Sequence, residues 1–168
     1  MEKIESSGLD SSLLFRSPIE LNRNKLKNFA RNFSSVIRTL STYGNFITHR
    51  DEEYPDSLKH IFEPPSVLFF RGKVSLLNSK SVLAVVGSRK ADRYGTSVAR
   101  EYSRLLSERG ITIVSGLAVG IDAEAHIGAL DGSGTTVGVL GTGIDVYYPA
   151  SNSSLIRSVM EKGCVISE

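Results

Sequence analysis

Residues 82–87 read VLAVVG, residues 111–116 read ITIVSG, residues 135–141 read TTVGVLG and residues 164–166 read CVI. Each stretch is a short apolar run, and a glycine closes each of the first three. Continuous apolar runs of this length are typical of parallel strands that are buried on both faces. The sequence therefore predicts four buried parallel strands.

Segments with helical periodicity lie between these strands. Residues 97–109 predict a helix that stops at Gly110, and its apolar stripe consists of Val98, Tyr102, Leu105 and Leu106. Residues 121–130 predict a short helix in which Asp122 is the cap or a first-turn acid. Ser151 or Asn152 caps the third helix, whose apolar side chains are Leu155, Ile156, Val159 and Met160. This β-α-β-α-β-α-β alternation predicts an α/β fold, a Rossmann-like parallel sheet with right-handed crossovers and flanking helices.

The residues before the first of these strands are less informative. Residues 67–70 (VLFF) form a short apolar run that predicts a strand, and Pro64-Pro65 excludes a helix just before it. Within residues 1–44, apolar residues recur at spacings of three and four, with basic residues among them. We interpret residues 1–44 as a small helical extension with a solvated basic face rather than a DNA-binding helix. Residues 45–168 then form the Rossmann-like domain.

Charge and cysteine content set broad limits on function. The formal net charge of the 168-residue chain is only +2, and residues 81–168 hold 8 basic against 9 acidic side chains. An anion site in that half must therefore be local, built from particular side chains and backbone N–H groups. Cys164 is the only cysteine, which excludes an intrachain disulfide and favours a reducing compartment. The sequence predicts neither a signal peptide nor a spanning helix, so we expect a cytoplasmic protein with no membrane partner.

Glycine-rich loops follow the first three strands. Parallel strands end at one edge of their sheet, where ligands bind, and glycine lets the backbone approach a ligand closely. Helix N-termini and basic side chains at such an edge favour anions such as phosphate. We therefore predict a phosphate-binding crevice built from Gly87, Ser88, Arg89, Lys90, Arg93, Ser115, Gly116, Gly120, Gly141, Thr142 and Gly143. The alternative is that these glycines serve only to turn the chain.

Other kinds of chemistry lack their sequence signatures. The first loop has no G-x-G-x-x-G pattern and no acidic residue ends the second strand, so a dinucleotide cofactor is not expected. His49, His60, His126 and Cys164 lack metal-ligand spacing. Asp122 and His126 share a helical face, which would suit an acid–base pair, but a helix cap and a packed histidine are the favoured interpretation. We therefore expect no cofactor, no metal and no enzyme activity.

Three motifs resemble those of the DprA/Smf family. Residues 85–90 (VVGSRK), followed by Tyr94-Gly95, resemble its G-[ST]-R signature. Residues 115–126 (SGLAVGIDAEAH) are similar to its S-G-x-A-x-G-I-D-x-x-A-H motif, and residues 139–149 (VLGTGIDVYYP) are similar to a third block. The similarity runs in order over residues 46–168. The residues that it marks as structural are Tyr94, Gly95, Asp122, His126, Asp145, Pro149 and Asn152.

The resemblance implies a protein that binds single-stranded DNA without sequence preference during natural transformation. It implies that RecA is a partner, because such proteins load RecA onto the DNA. It also implies a homodimer, which is common in the family. The DNA backbone would lie against Ser88, Arg89 and Lys90 and the neighbouring glycine loops.

The sequence departs from the family pattern in two places. Val119 stands where many relatives have a basic residue. The family fold also continues past the terminal residues 166–168 (ISE) through an F-P-x-R-N-R-I-I segment, so we interpret the chain as C-terminally truncated. We expect its last strand to be an unprotected apolar edge. Two alternatives remain open, a nucleotide-binding protein of a related fold and a non-functional gene remnant.

Overall fold

The structure, a computed structural model, describes residues 45–132 and 134–168. The strands are β1 (Asn45–Thr48), β2 (Val67–Gly72), β3 (Val82–Ala84), β4 (Thr112–Ser115), β5 (Thr136–Val139) and β6 (Cys164–Ser167). The helices are α1 (Asp56–Lys59), α2 (Arg93–Ser107), α3 (Ile121–Asp131) and α4 (Ser153–Lys162), with 3-10 turns η1 (Val74–Asn78) and η2 (Ala150–Asn152). The helical extension predicted over residues 1–44 lies outside the described residues.

The four strands β3 to β6 form the parallel part of the sheet, and the helices α2, α3 and α4 connect them in turn. Ile113 lies beside Thr136 and Gly138 beside Val165, so these residues share one face. That face packs against all three helices, because Ile113 lies with Leu106 of α2, Thr136 contacts α3 and Val165 packs against α4. The Rossmann-like prediction is therefore confirmed.

The sheet is mixed rather than purely parallel. Its strand order is β1-β2-β6-β5-β4-β3, and both β1 and β2 run antiparallel to their neighbours. The strand β6 consequently lies between β2 and β5, and all four of its residues are buried. The expectation of an unprotected apolar edge at the last strand was wrong, because the upstream strand β2 covers it.

Among the described residues, the strand at the open edge is β3, which pairs only with β4. Val82 is 49% exposed and Leu83 is 43% exposed, so the prediction that this run is buried on both faces was also wrong. An apolar run shows that a segment forms a strand, but it does not show how many strands will lie beside it.

The face that helix α2 buries agrees only in part with the predicted stripe, of which Leu106 packs against the core. Tyr102 of the apolar stripe is 63% exposed, whereas the small residues Ala99, Ser103 and Ser107 are buried. The contact with α3 is tight: a Cβ atom added at Gly128 would lie 2.0 Å from the carbonyl oxygen of Arg100. Close backbone approach selects small side chains here, and hydrophobicity alone does not reveal this.

The core lies on both faces of the sheet. On the helix face, Val165 packs with Ile156 and Val159 of α4. On the opposite face, Cys164 and Ile166 pack with Tyr54 from the connection between β1 and β2. Burying a side chain of this size contributes about 1.5–3 kcal/mol, so β6 anchors both halves of the core. Within the described residues, no helix is long and apolar enough to cross a membrane.

Candidate functional site

The carboxyl ends of β3, β4 and β5 bring three loops together at one edge of the sheet. We name them loop 1 (residues 85–92), loop 2 (residues 116–120) and loop 3 (residues 140–149). Each follows a parallel strand directly, so the predicted convergence of the glycine loops follows from the topology.

Loops 1 and 2 are fastened to each other by Asp122 and by backbone contacts. The buried carboxylate of Asp122 accepts hydrogen bonds from the backbone N–H of Gly87 at 3.3 Å and of Gly116 at 3.1 Å. The N–H of Ile121 donates to the carbonyl of Ser88 at 3.2 Å. Asp122 lies in the first turn of α3, as expected. Its side chain binds the two loops and does not cap that helix.

Gly120 permits this close approach. It has a φ of 84°, and a Cβ atom there would lie 2.3 Å from the carbonyl oxygen of Ser88. A side chain would therefore be both strained and sterically excluded. Gly120 therefore allows loop 2 to lie directly against loop 1.

Ser115 also has a position that sequence reasoning did not reveal. It is 2% exposed, and its hydroxyl donates to the carbonyl of Val85 at 2.6 Å. That bond ties the end of β4 to the residue that follows β3. We therefore assign the Ser115 side chain to positioning loop 1 and leave it out of the contact surface.

Loop 3 is held by hydrogen bonds from side chains within it and around it. The Thr142 hydroxyl donates to the carbonyl of Val146 at 2.9 Å, and the Ser167 hydroxyl donates to the carbonyl of Thr142 at 2.5 Å. Asn152 occupies the N-cap position of α4, as predicted, but its side chain makes no capping hydrogen bond and donates its N–H to the carbonyl of Leu117 in loop 2 at 2.9 Å. All three loops are thus connected to one another or to the sheet.

A cleft of about 270 Å³ opens between the three loops. Its lining residues are Arg89, Gly116, Ala118, Val119, Leu140, Gly141, Thr142, Tyr148 and Pro149. Four of these belong to the predicted crevice, namely Arg89, Gly116, Gly141 and Thr142. The apolar wall formed by Leu140, Val119 and Tyr148 was not predicted. Its one sequence signal was the adjacent pair of tyrosines in a glycine-rich loop.

The cleft borders a small group of cations. Arg89, Lys90 and Arg93 are all exposed, and none forms an ion pair with another residue of the described ranges. The N–H of Lys90 donates to the Ser88 hydroxyl at 3.0 Å, which fixes the turn that carries Arg89. Asp92 accepts from the N–H of Gly95 and caps α2, and it forms no ion pair with these cations in the described part of the chain.

The remaining predicted residues lie around the cleft rather than in its lining. Gly87 is held by Asp122, and Gly143 accepts a backbone hydrogen bond from Val146 within loop 3. Tyr94, in the first turn of α2, is 77% exposed, and Asp145 is exposed in loop 3.

His126 lies under the loops and does not reach the cleft. It is fully buried, and its Nδ1 lies 2.7 Å from the hydroxyl of Thr136. That hydroxyl donates to the carbonyl of Ile113, so the imidazole N–H is the donor to Thr136. Burial lowers the pKa of His126 to about 4, against a smaller opposing effect of Ser115 and Asp122. The ring is a neutral packing element of the core at physiological pH.

The model of the family described as "DNA recombination-mediator protein A" matches residues 45–168. Protein Smf of Synechocystis is 40% identical over 126 residues, which are 73% of this chain and 32% of that protein. The DNA processing protein DprA of Bacillus subtilis is 32% identical over 147 residues, covering 87% of this chain and 50% of the relative. This chain therefore spans half or less of the length of these curated relatives.

Two solved structures share the fold. The structure of DNA processing protein A from Streptococcus pneumoniae has a TM-score of 0.72 and 36% identity, covering 87% of this chain and 52% of that one. A Helicobacter pylori DNA processing protein A has a TM-score of 0.66 and 27% identity, covering 74% of this chain and 55% of that one. The Helicobacter protein was described for its mode of binding single-stranded DNA.

Proposed function

This chain belongs to the DNA recombination-mediator protein A family, and we propose that it binds single-stranded DNA in the cleft between loops 1, 2 and 3. The observation that carries the proposal is the position of Arg89. Arg89 lines the cleft, and within the described ranges no carboxylate is paired with its guanidinium. An arginine held by an internal acid would only fasten the loops, whereas an unpaired one is available to a phosphate.

The rest of the cleft suits a backbone-directed site. Lys90 and Arg93 add positive charge beside Arg89, and the glycines of loops 2 and 3 leave the main chain open to a ligand. Phosphate contacts of this kind position a nucleic acid without reading its sequence. We therefore infer binding with little sequence preference, and a binding role rather than catalysis.

The wider activities implied by the family belong to the same proposal. We infer that the protein acts with RecA on single-stranded DNA in the cytoplasm, and that a homodimer is its working form. These activities concern whole proteins of which this chain spans half or less. The cleft supports only the DNA-binding part of the scheme.

The experiment is a titration of the 168-residue chain with fluorescent oligonucleotides, followed by anisotropy. We expect Arg89→Ala to weaken binding of single-stranded DNA roughly tenfold or more, because each charge-assisted hydrogen bond contributes about 1.5–3 kcal/mol. Arg89→Lys should restore it only in part, since lysine lacks the two-pronged geometry. Affinity should fall as salt rises, because phosphate contacts release counterions.

Arg109→Ala is the matched control. Arg109 is also exposed, but it follows the carboxyl end of α2 and donates to the carbonyl of Leu105 at 2.8 Å. The helix α2 begins after loop 1 and returns to the start of β4, so Arg109 lies at the opposite edge of the sheet. Equal losses of DNA affinity in Arg89→Ala and Arg109→Ala would show that the overall positive charge, and not the cleft, attracts DNA. Displacement of the oligonucleotide by mononucleotides at equal phosphate concentration would favour the nucleotide-binding alternative.

A further inference from the structure

We propose that the open edge of β3 pairs with the same edge of a second copy of this chain, antiparallel and with the two Ala84 residues at the two-fold axis. The inference rests on the homodimer of the proposed function, to which it assigns an interface, and it is independent of the DNA cleft. The edge consists of residues 82–86 (VLAVV), which are all apolar and carry no charge. Within the described ranges, β4 is the only strand that pairs with β3.

The backbone of this edge points donors and acceptors away from the sheet. The N–H of Val85 donates to the carbonyl of Val114 at 3.0 Å, which extends the ladder with β4 past the end of β3. Backbone groups alternate in direction along a strand, so those of Val82 and Ala84 point away from β4. A further strand is the partner that satisfies such a row of groups.

The side chains of the edge are exposed on both faces of the sheet. Leu83 pairs with Ile113 and therefore lies on the face that carries the helices, yet it is 43% exposed. Val82 lies on the other face, as does Val86 by alternation, and they are 49% and 71% exposed. A partner that packed on one face would cover only half of these side chains. A neighbour within the same sheet reaches both sets.

The sequence of the edge is complementary to itself, which selects a second copy as the occupant. When two copies run antiparallel about Ala84, Val82 lies opposite Val86 of the second copy, and Leu83 lies opposite Val85 of the second copy. Every residue of the edge then meets an apolar residue on its own face, and such cross-strand pairs set the register. The two-fold axis repeats each contact and closes the dimer, so the pairing does not propagate into a fibre.

The residues that flank the edge fit this register and disfavour the adjacent ones. Lys80 lies opposite Ser88 of the second copy, so no charge directly opposes a like charge. Moving the axis by one residue in either direction would set Val86 opposite Lys80 or Val82 opposite Ser88, which loses an apolar pair. The edge has five residues per copy, few beside the ~20–30 of a standard interface, so we expect a dimer that forms and dissociates with concentration.

A disulfide at the axis tests the pairing, because it traps even a weak dimer. In a hydrogen-bonded antiparallel pair the Cα atoms lie about 5.5 Å apart, within the ~4.4–6.8 Å that a disulfide spans. We expect Ala84→Cys to form a covalent dimer in a glutathione redox buffer, as measured by non-reducing electrophoresis. The native Cys164 should not contribute, because it is fully buried and burial raises the pKa of its thiol to about 12.

Val82→Cys is the matched control. Val82 is exposed on the same face as Ala84, but in this register it lies about 13 Å along the strand from its own copy, too far for a disulfide. Val82→Cys should therefore remain monomeric by itself and form a mixed disulfide when it is combined with Val86→Cys. Both results should be unchanged when Arg89→Ala is added, which separates this interface from the DNA site.

Three outcomes would overturn the pairing and leave the DNA-binding proposal intact. Equal cross-linking of Ala84→Cys and Val82→Cys would show random collision rather than a fixed register. A dimer in sedimentation velocity that does not cross-link at position 84 would place the homodimer on another surface. A monomer in which the cysteine at position 84 resists alkylation would show that a segment of the same chain covers the edge.

Discussion

The strands β6 and β3 are made of similar apolar residues and lie in opposite environments. All four residues of β6 are buried between β2 and β5. All three residues of β3 are exposed, and of the strands that the structure describes only β4 pairs with them. Strand formation and strand burial therefore have separate causes here. The apolar run favours the extended chain, and the topology decides how many neighbours cover it.

The two strands also differ in how their ends are held. Two ladders fix β6, one antiparallel and one parallel. In the described part of the chain, β3 has one ladder, and its end depends on the loop contacts around it. The chief contacts are those of the Asp122 carboxylate with Gly87 and of the Ser115 hydroxyl with Val85. Loop 1, which carries Arg89, thus extends from the less covered of the two strands. The proposed DNA contact depends on those side chains for its position.

The largest expected difference comes from placing the same carboxylate in each strand. Val165 is fully buried in β6, so an aspartate there must be desolvated without a partner. We expect Val165→Asp to cost about 4 kcal/mol or more of unfolding free energy, enough to unfold a domain of ordinary stability. Val82→Asp in β3 should cost about 1 kcal/mol or less, because that position is 49% exposed. Urea denaturation followed by circular dichroism measures both, and equal costs would show that β3 is covered in solution.

Acid should weaken the buried part of the sheet by a somewhat smaller amount. The pKa of His126 is lowered to about 4 by burial, below its ordinary value of 6.5. Between these pH values the unfolded chain binds a proton that the folded chain excludes, so the stability contributed by neutral His126 is present above pH 6.5 and lost toward pH 4. The full loss of unfolding free energy is about 3 kcal/mol, since one pKa unit corresponds to ~1.4 kcal/mol.

The variant His126→Asn isolates this effect, because an amide can donate to Thr136 but does not titrate. Its stability should fall less between pH 7 and pH 4.5 than that of the wild type. His60→Asn, at an exposed position, should retain the wild-type pH dependence. If the unfolding free energy of the wild type and of His126→Asn changed equally with pH, this would contradict a buried neutral imidazole.

The sequence predicted the strands and helices themselves better than it predicted which strands lie side by side in the sheet. The apolar runs and the helical periodicity between them were enough for the four parallel strands and three crossovers. The antiparallel strands β1 and β2, which cover β6, were not placed in the sheet, because a short strand carries no signal for its partner. Part of the buried face of α2 was also missed, since Ala99, Ser103 and Ser107 are selected for close helix contact and not for hydrophobicity.

Part of the cleft lining could also be predicted from the sequence. Arg89 and the glycines of loops 2 and 3 follow from the rule that parallel strands end at one edge. The roles of Asp122 and Ser115 could not be predicted, because each bonds to a loop that is distant in sequence. The apolar wall with Tyr148 was missed for the reverse reason: a tyrosine next to a similar tyrosine gives no indication of which one is buried.

The smallest effect on stability, and the sharpest test of β3 as an open edge, is expected from Val82→Lys. Ser81 and Val85 bond to β4 through their backbone groups, so in an alternating ladder those of Val82 and Ala84 point to the side where the described residues place no strand. An edge of this kind, with exposed apolar side chains, is a template for pairing with another chain, and lysine protects such edges. We expect Val82→Lys to change the unfolding free energy by about 0.5 kcal/mol or less and to reduce concentration-dependent self-association. Sedimentation velocity over a concentration series measures the latter. Phe62→Lys is the control, because it adds the same charge and removes a residue that is 90% exposed outside any strand. If both variants reduce self-association equally, exposed hydrophobicity and not strand pairing drives it, and the contrast between β3 and β6 has no consequence in solution.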